Sequence, residues 1–315
     1  MTTIAFKILS CIFFIMVFLY LIKKNLKTKK VTNYLRNINF QNMMDIDNKI
    51  LLKSNRTVDE EINDCQKFVN KAVNHTLINQ NEIFYRSENP KISIVIPMYN
   101  AEGYIENAIY AIENQDYKDI EIIIIDDKSK DNCIELVKQL MKKDPRINLY
   151  KNKETKGTLY SKSIGVIYSK GKYVLVSDQD DLYTQEDAFS TMHYLLEKYK
   201  LDILGFATIF VKTINLRDRK TLRIFKNTPI YYQPYISYRM YFCNNNTVRR
   251  IGDVIWNYIY KRNIFMQSIS QIDDKIMNTR MNCHEDFLLF FLLTRNAKSL
   301  KNIIRNIFII HIFYL

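Results

Sequence analysis

Glycine is scarce in this chain, 6 in 315 residues, and the scarcity counts against the commonest glycine-built nucleotide sites. A dinucleotide-binding turn needs three spaced glycines, GxGxxG, after its first strand so that backbone can approach a pyrophosphate. Here the first strand-like run ends in Pro97-Met98-Tyr99-Asn100, and Gly103 alone cannot make that turn. This argues against a nicotinamide or flavin dehydrogenase. The sequence GxxxxGK followed by Ser or Thr is also missing, which removes the phosphate-loop NTPases. Cysteine is sparse: Cys11, Cys65, Cys133, Cys243 and Cys283 lie far apart, with no CxxC pair. Neither a zinc site nor a disulfide framework is indicated, and buried or incidental thiols are expected. Only 5 prolines accompany abundant Lys, Asn and Ile, a compositional bias that makes Asn- and Lys-rich motifs easy to obtain by chance.

The length suits one large domain with appendages, and 47% apolar with 25% charged residues is a globular composition. The net charge of +13 raises nucleic acid as a partner. However, Lys23, Lys24, Lys27, Lys29 and Lys30 form one block beside an apolar segment, and the remaining excess is scattered. No basic–aromatic recognition module is present, so no nucleic-acid partner is expected. The excess suits phosphorylated substrates handled near an anionic membrane.

Residues 4–22 are apolar apart from Lys7 and Ser10; as a helix, 19 residues rise about 28 Å, close to the hydrocarbon thickness of a bilayer. No small-x-small cleavage site follows, which favours a transmembrane anchor over a cleaved signal. The lysine block after the span places the C-terminal body in the cytosol. The triplets at Asn55, Asn74 and Asn245 fit N-glycosylation and a lumenal body, so topology stays open. Residues 23–89 read as basic flank and stem. Within them Thr57 and Glu60 form a capping box ahead of an apolar face through Val58, Ile62, Cys65, Phe68, Val69 and Ala72.

From Lys91 the pattern becomes α/β. Strand-like runs at Ile92–Ile96, Ile122–Ile125, Ile147–Tyr150 and Tyr173–Val176 alternate with helical stretches at Ile105–Asn114, Cys133–Lys142 and Leu159–Ser169. Such alternation predicts a mainly parallel sheet with helices on both faces.

The last of these strands ends in Asp178-Gln179-Asp180-Asp181. Three carboxylates within four residues repel unless a cation relieves them, and the carboxyl ends of strands are where open α/β sheets bind ligands. An acidic cap on the following helix is the plainer reading. An EF-hand is not: counted from Asp178, position 6 is Tyr183 and position 12 is Phe189.

Four blocks in order, Ile92–Asn100, Ile124–Asp131, Lys156-Gly157 with Lys162-Ser163, and Val176–Asp181, resemble those of family 2 glycosyltransferases, inverting enzymes of the GT-A fold that use nucleotide-sugars. Trp256–Arg262 is similar to the family's Trp-x-x-Leu-Tyr-Lys-Arg segment. Glu285-Asp286 beside His284, followed by apolar Phe287–Leu293, resembles its acceptor-side block. The resemblance implies a transferase domain over 90–315, with a nucleotide-sugar half at about 90–200 and an acceptor half at about 201–315.

Carried over by position, the resemblance implies that Pro97 and Tyr99 shape the nucleotide pocket. Glu102 and Asp127 would contact the nucleoside, Asp126 would support its strand end, and Gly157 would let backbone approach the donor. Lys162 stands where relatives often carry Arg, and Ser161-Lys162-Ser163 replaces their Ala-Arg-Asn. An ammonium cannot reproduce a guanidinium fork. Asp180 would ligate Mn²⁺ or Mg²⁺ with Asp178 supporting, Asp178 also facing the donor. Asp286 would be the general base and Glu285 its neighbour toward the acceptor; a helix N-terminus with acidic residues placed for the dipole is the competing reading. His284 would be a structural or rim residue, and Trp256 would pack under the acceptor site or core. The implied partners are a nucleoside-diphosphate sugar, uridine favoured, and a glycan, lipid or protein hydroxyl. Tyr231, Tyr232, Tyr235, Tyr238 and Tyr241 form either a stacking surface for sugars or core. Two other classes remain: an inactive, scaffold-like relative and a nucleotidyltransferase. The latter would more naturally carry a Gly-rich basic loop after the first strand, which Pro97–Gly103 lacks.

Overall fold

The computed structural model describes residues 86–183, 185–211, 222–223, 231–232, 255–281, 285–303 and 308–312. The expected membrane segment 4–22, the flank and stem as far as residue 85, His284, and Tyr235, Tyr238 and Tyr241 lie outside them. Among the described residues no helix is long and apolar enough to cross a membrane.

Strands and helices alternate as the apolar runs predict. The order is β1 (Ile92–Met98), α1 (Ile105–Glu113), β2 (Ile120–Asp126), α2 (Cys133–Met141), β3 (Ile147–Lys151), α3 (Thr158–Tyr168) and β4 (Tyr173–Val176). Both faces of this sheet are covered, which is why β1 and β2 are nearly continuous β-branched runs rather than alternating ones. Successive side chains leave on opposite faces. Ile92, Ile94 and Ile96 pack with Ile105 and Ile109 of α1 and Val137 of α2. Val95, Ile123 and Ile125 pack on the other side with Leu159 and Val166 of α3.

The second half adds β5 (Leu182–Tyr183), α4 (Ala188–Tyr199), β6 (Ile203–Gly205), β7 (Ala207–Val211), β8 (Leu222–Arg223) and β9 (Tyr231–Tyr232). It continues with β10 (Tyr258–Lys261), α5 (Arg262–Ile269), α6 (Asp274–Met277), α7 (Glu285–Asn296), β11 (Ser299–Asn302) and β12 (Phe308–Ile312). The main sheet has the order β3-β2-β1-β4-β10-β6-β11-β9. It is mainly parallel; β10 runs against β4 and β6, and β9 against β11. A smaller sheet, β5-β12-β7-β8, was not foreseen from the sequence. It gives Phe308–Ile312 their place, since β12 pairs with both β5 and β7.

Two local features shape the carboxyl edge of the sheet. The β1–β4 ladder ends at Val95↔Val176, with Ser177 N–H donating to the Val95 carbonyl. Pro97, two residues on, faces the same side and has no N–H to offer, so the strands part there and leave a crevice. Gly165 brings α3 onto β1: a Cβ built there would lie 2.3 Å from Val95 Cγ1. Gly165→Ala is therefore expected to destabilise the fold by about 1–3 kcal/mol through overpacking, measured as a lower denaturant midpoint at unchanged m-value.

Candidate active site

Five segments meet at the carboxyl edge of β1, β2 and β4: the loops after those strands, the start of α3 and the start of α7. Side chains and backbone lock the first three together. Gln179 Oε1 accepts from Tyr99 N–H at 2.8 Å, while its amide donates to the Tyr99 carbonyl at 3.3 Å. Asn100, in the left-handed region with φ 50°, accepts Lys130 N–H on its side chain and donates its own N–H to Ser129 Oγ, both at 2.9 Å. Glu102 is exposed; its N–H donates to Asp131 and its carboxylate accepts from Asn132 N–H at 3.3 Å. Pro97 is half-buried and Tyr99 exposed at the lip of the crevice.

The paired acids after β2 both turn inward. Asp126 is fully buried and accepts Ser129 N–H at 3.1 Å, closing its strand end. Asp127 accepts from Asn152 Nδ2, Lys156 N–H and Gly157 N–H at 2.8, 2.7 and 2.8 Å. A carboxylate has about four lone-pair sites, so these donors leave little capacity for the nucleoside contact the resemblance implies. What Asp127 does in this structure is hold the loop before α3. Gly157 caps that helix with φ 90°, a conformation that suits only glycine without strain. A Cβ there would face the Met281 backbone at 3.3 Å, so its close neighbour is this segment of the chain itself.

The acidic turn divides its carboxylates. Asp181 is buried and accepts Asp178 N–H at 3.0 Å, so it builds the turn. Asp178 and Asp180 are only half-buried. Tyr183 lies fully buried nearby; burial first, and with it the charges of Asp181 and Asp178, push its phenol up.

Lys162 is where the structure departs most from the sequence reading. Its side chain is 2% exposed, and the ammonium lies 2.6 Å from Asp286 Oδ1, 3.6 Å from Glu285 Oε1 and 3.8 Å from Asp178 Oδ1. Only the first is a hydrogen-bond distance. Burial alone would lower the lysine pKa, but the charges of Asp286, Asp178 and Glu285, with the Asp286 hydrogen bond, carry it above the ordinary lysine value. The partner thus found is the candidate base, 124 residues away in sequence. One signal was available: Leu159, Lys162, Ser163 and Val166 follow helical spacing and all are buried, and a lysine on a core-facing stripe needs carboxylates.

Glu285 and Asp286 open α7 in its first turn, where unpaired backbone N–H groups and the helix dipole favour negative charge. Tyr260 of the Trp256–Arg262 stretch is buried in the neighbourhood, its hydroxyl donating to the Ile255 carbonyl at 3.2 Å. Burial, then the charges of Tyr258 and Asp286, raise its pKa well above normal. Trp256 itself is buried. Arg262 serves the far end of α3, donating from Nε to Ser169 Oγ at 3.0 Å. Beside the β2 and β3 ends lies an open cleft of about 540 Å³ lined by Lys128, Ser129, Lys130, Lys151, Asn152, Lys153 and Thr155.

Among the described residues no three His, Cys, Asp or Glu side chains are grouped to hold an ion unaided. The available donor set is the two half-buried carboxylates Asp178 and Asp180 in one turn. That suits Mg²⁺ or Mn²⁺, which take one or two carboxylates and complete their shell with phosphate oxygens and water.

Asp127→Ala would leave the Lys156 and Gly157 N–H groups without their acceptor. A loss of about 1–3 kcal/mol in unfolding free energy is expected, with hydrogen exchange rising first in residues 152–158.

The profile of the family described as Glycosyl transferase family 2 matches residues 93–266. An uncharacterized glycosyltransferase of Haemophilus influenzae is 34% identical over 110 residues, 35% of this chain and 44% of that protein. The Campylobacter jejuni GalNAc(5)-diNAcBac-PP-undecaprenol beta-1,3-glucosyltransferase is 40% identical over 93 residues, 29% of this chain and 30% of that protein. The match thus spans less than half of either relative. S. aureus TarS 1-349 in complex with UDP-GlcNAc superposes with a TM-score of 0.58 at 16% identity, covering 71% of this chain and 59% of that one. The likeness is one of fold, and it bears out the expected GT-A-like α/β architecture. With more than half of its length matched by the family profile, the chain belongs to glycosyltransferase family 2.

Proposed function

We propose that the protein transfers a sugar from a nucleoside-diphosphate donor to a hydroxyl of a glycan, lipid or protein acceptor, with inversion at the anomeric carbon. The observation that carries this reading is the convergence of Asp178, from the β4 turn, and Asp286, from α7, on one buried ammonium. A donor-side acid and a candidate base so placed can act on one substrate.

In this reading the diphosphate lies beside Asp178 and Asp180, and the nucleoside extends along the β1 and β2 loops past Tyr99 and Glu102. Uridine is the favoured base, since the TarS structures hold UDP-GlcNAc and UDP. Asp286 accepts the acceptor hydroxyl proton as that oxygen attacks the anomeric carbon from the face opposite the diphosphate. The carbon–oxygen bond to the diphosphate breaks, and its electron pair leaves with the phosphate. Glu285 orients the acceptor. A divalent cation held by Asp180 and Asp178 would neutralise charge developing on the leaving group, an interaction stronger in the transition state than before it.

A membrane anchor at residues 4–22 with a cytosolic catalytic domain belongs to the same proposal and rests on the lysine block at 23–30; a lumenal domain is the alternative. The Lys162–Asp286 pair at 2.6 Å also suits a second reading, an inactive relative whose base is tied up. A donor-turnover assay with and without Mn²⁺ separates the readings. Release of nucleoside diphosphate supports transfer, release of pyrophosphate indicates nucleotidyl transfer, and no turnover with any nucleotide-sugar favours the inactive reading.

Asp286→Asn is expected to lower kcat by roughly 10²- to 10⁴-fold, the usual contribution of a general base. Asp180→Asn should abolish the Mn²⁺ dependence along with most activity. Full transferase activity in both variants would refute the site assignment.

A further inference from the structure

Lys162 has three N–H donors, yet in this structure just one lies at hydrogen-bond distance from a carboxylate among its three acidic neighbours. Asp286 Oδ1 takes it at 2.6 Å, while Glu285 and Asp178 stand off at 3.6 and 3.8 Å. The Lys162 side chain is 2% exposed, but Asp178 is 24% exposed and so borders the crevice. A diphosphate seated beside Asp178 comes within reach of the same ammonium. A charge on a flexible four-carbon stem can change partners without moving its helix, whereas a carboxylate hydrogen-bonded to an ammonium is a hindered proton acceptor.

We propose that Lys162 is a positioning residue shared between base and donor. Without a donor it holds Asp286 in an ion pair; with a donor bound it turns to the diphosphate, leaving the Asp286 carboxylate open to the acceptor hydroxyl. Base availability then follows donor binding. The inference rests on the transferase reading above and adds a regulation to its site. An ion pair that serves only to neutralise buried acids makes no such link: removing the Asp286 charge would then relieve repulsion of the diphosphate equally with and without the ammonium.

The test is equilibrium binding of uridine, guanosine, thymidine and adenosine diphosphates to the full chain in Mn²⁺, by calorimetry. It compares the unaltered protein with Asp286→Asn, Lys162→Met and the double variant. Competition for one ammonium predicts that Asp286→Asn tightens binding of the preferred nucleotide roughly three- to tenfold, within the range of coupling between contacting residues. Lys162→Met should weaken binding, and in that background Asp286→Asn should have a much smaller effect. If Lys162→Met does not fold, Lys162→Gln takes its place as the background without the charge. Unchanged or weaker nucleotide binding by Asp286→Asn, or the same tightening with and without the Lys162 charge, overturns the inference while the transferase reading survives. Failure of the unaltered protein to bind any of the four nucleotides overturns both.

Discussion

The contact between the Lys162 ammonium and the carboxylates of Asp178, Glu285 and Asp286 is the interaction on which the rest of the site depends. The acids come from two places far apart in the chain, the turn after β4 and the first turn of α7, and like charges at that separation repel. The ammonium between them lets the two segments approach. It can do so because Gly165 seats α3 against β1 and Gly157 starts that helix beside Asp127. A buried lysine with three acidic neighbours is costly to disturb, since removing one partner strands the others in a poor dielectric. The site is therefore as much a part of the fold's assembly as of its chemistry.

The doubly covered sheet gives this arrangement its frame. Parallel strands bring their carboxyl ends to one edge, and the ladder between β1 and β4 stops where Pro97 can no longer extend it. The crevice that results is lined by backbone held from both sides, through the Gln179–Tyr99 and Asn100–Ser129–Lys130 bonds. Asn100 and Lys128 hold left-handed backbone at these loops, with φ of 50° and 67°. For non-glycine residues this is a local cost that surrounding contacts must sustain.

Much of the frame was legible in the sequence, and the reason is periodicity. β1, β2 and β4 are apolar runs too short for helices and end in acids or Pro, so the order of elements over 91–176 followed directly, with bounds within two residues. The smaller sheet was hidden because strands such as β5 and β8, two residues each, carry no readable pattern. The antiparallel entry of β10 between β4 and β6 is likewise a matter of pairing, which local sequence does not encode. Within the site, the acidic run was legible as a whole but not its division: Asp181 inside the turn, Asp178 and Asp180 left half-open. Asp127 was expected to face a nucleoside and instead gathers three donors from loop 152–157. Lys162 was expected at the donor, and its ammonium lies against Asp286. Both differences are tertiary: they arise from which segments fold against each other.

In the proposed reaction the β4 turn and the start of α7 act on a single nucleotide-sugar. The most direct test is a crystal structure with Mn²⁺ and an intact or non-hydrolysable nucleotide-sugar. The expected result is the diphosphate beside Asp178 and Asp180, and the anomeric carbon presenting to Asp286 the face opposite its phosphate bond. A diphosphate bound instead in the lysine-lined cleft at Lys128, Lys130, Lys151 and Lys153, with the sugar turned away from Asp286, would contradict it.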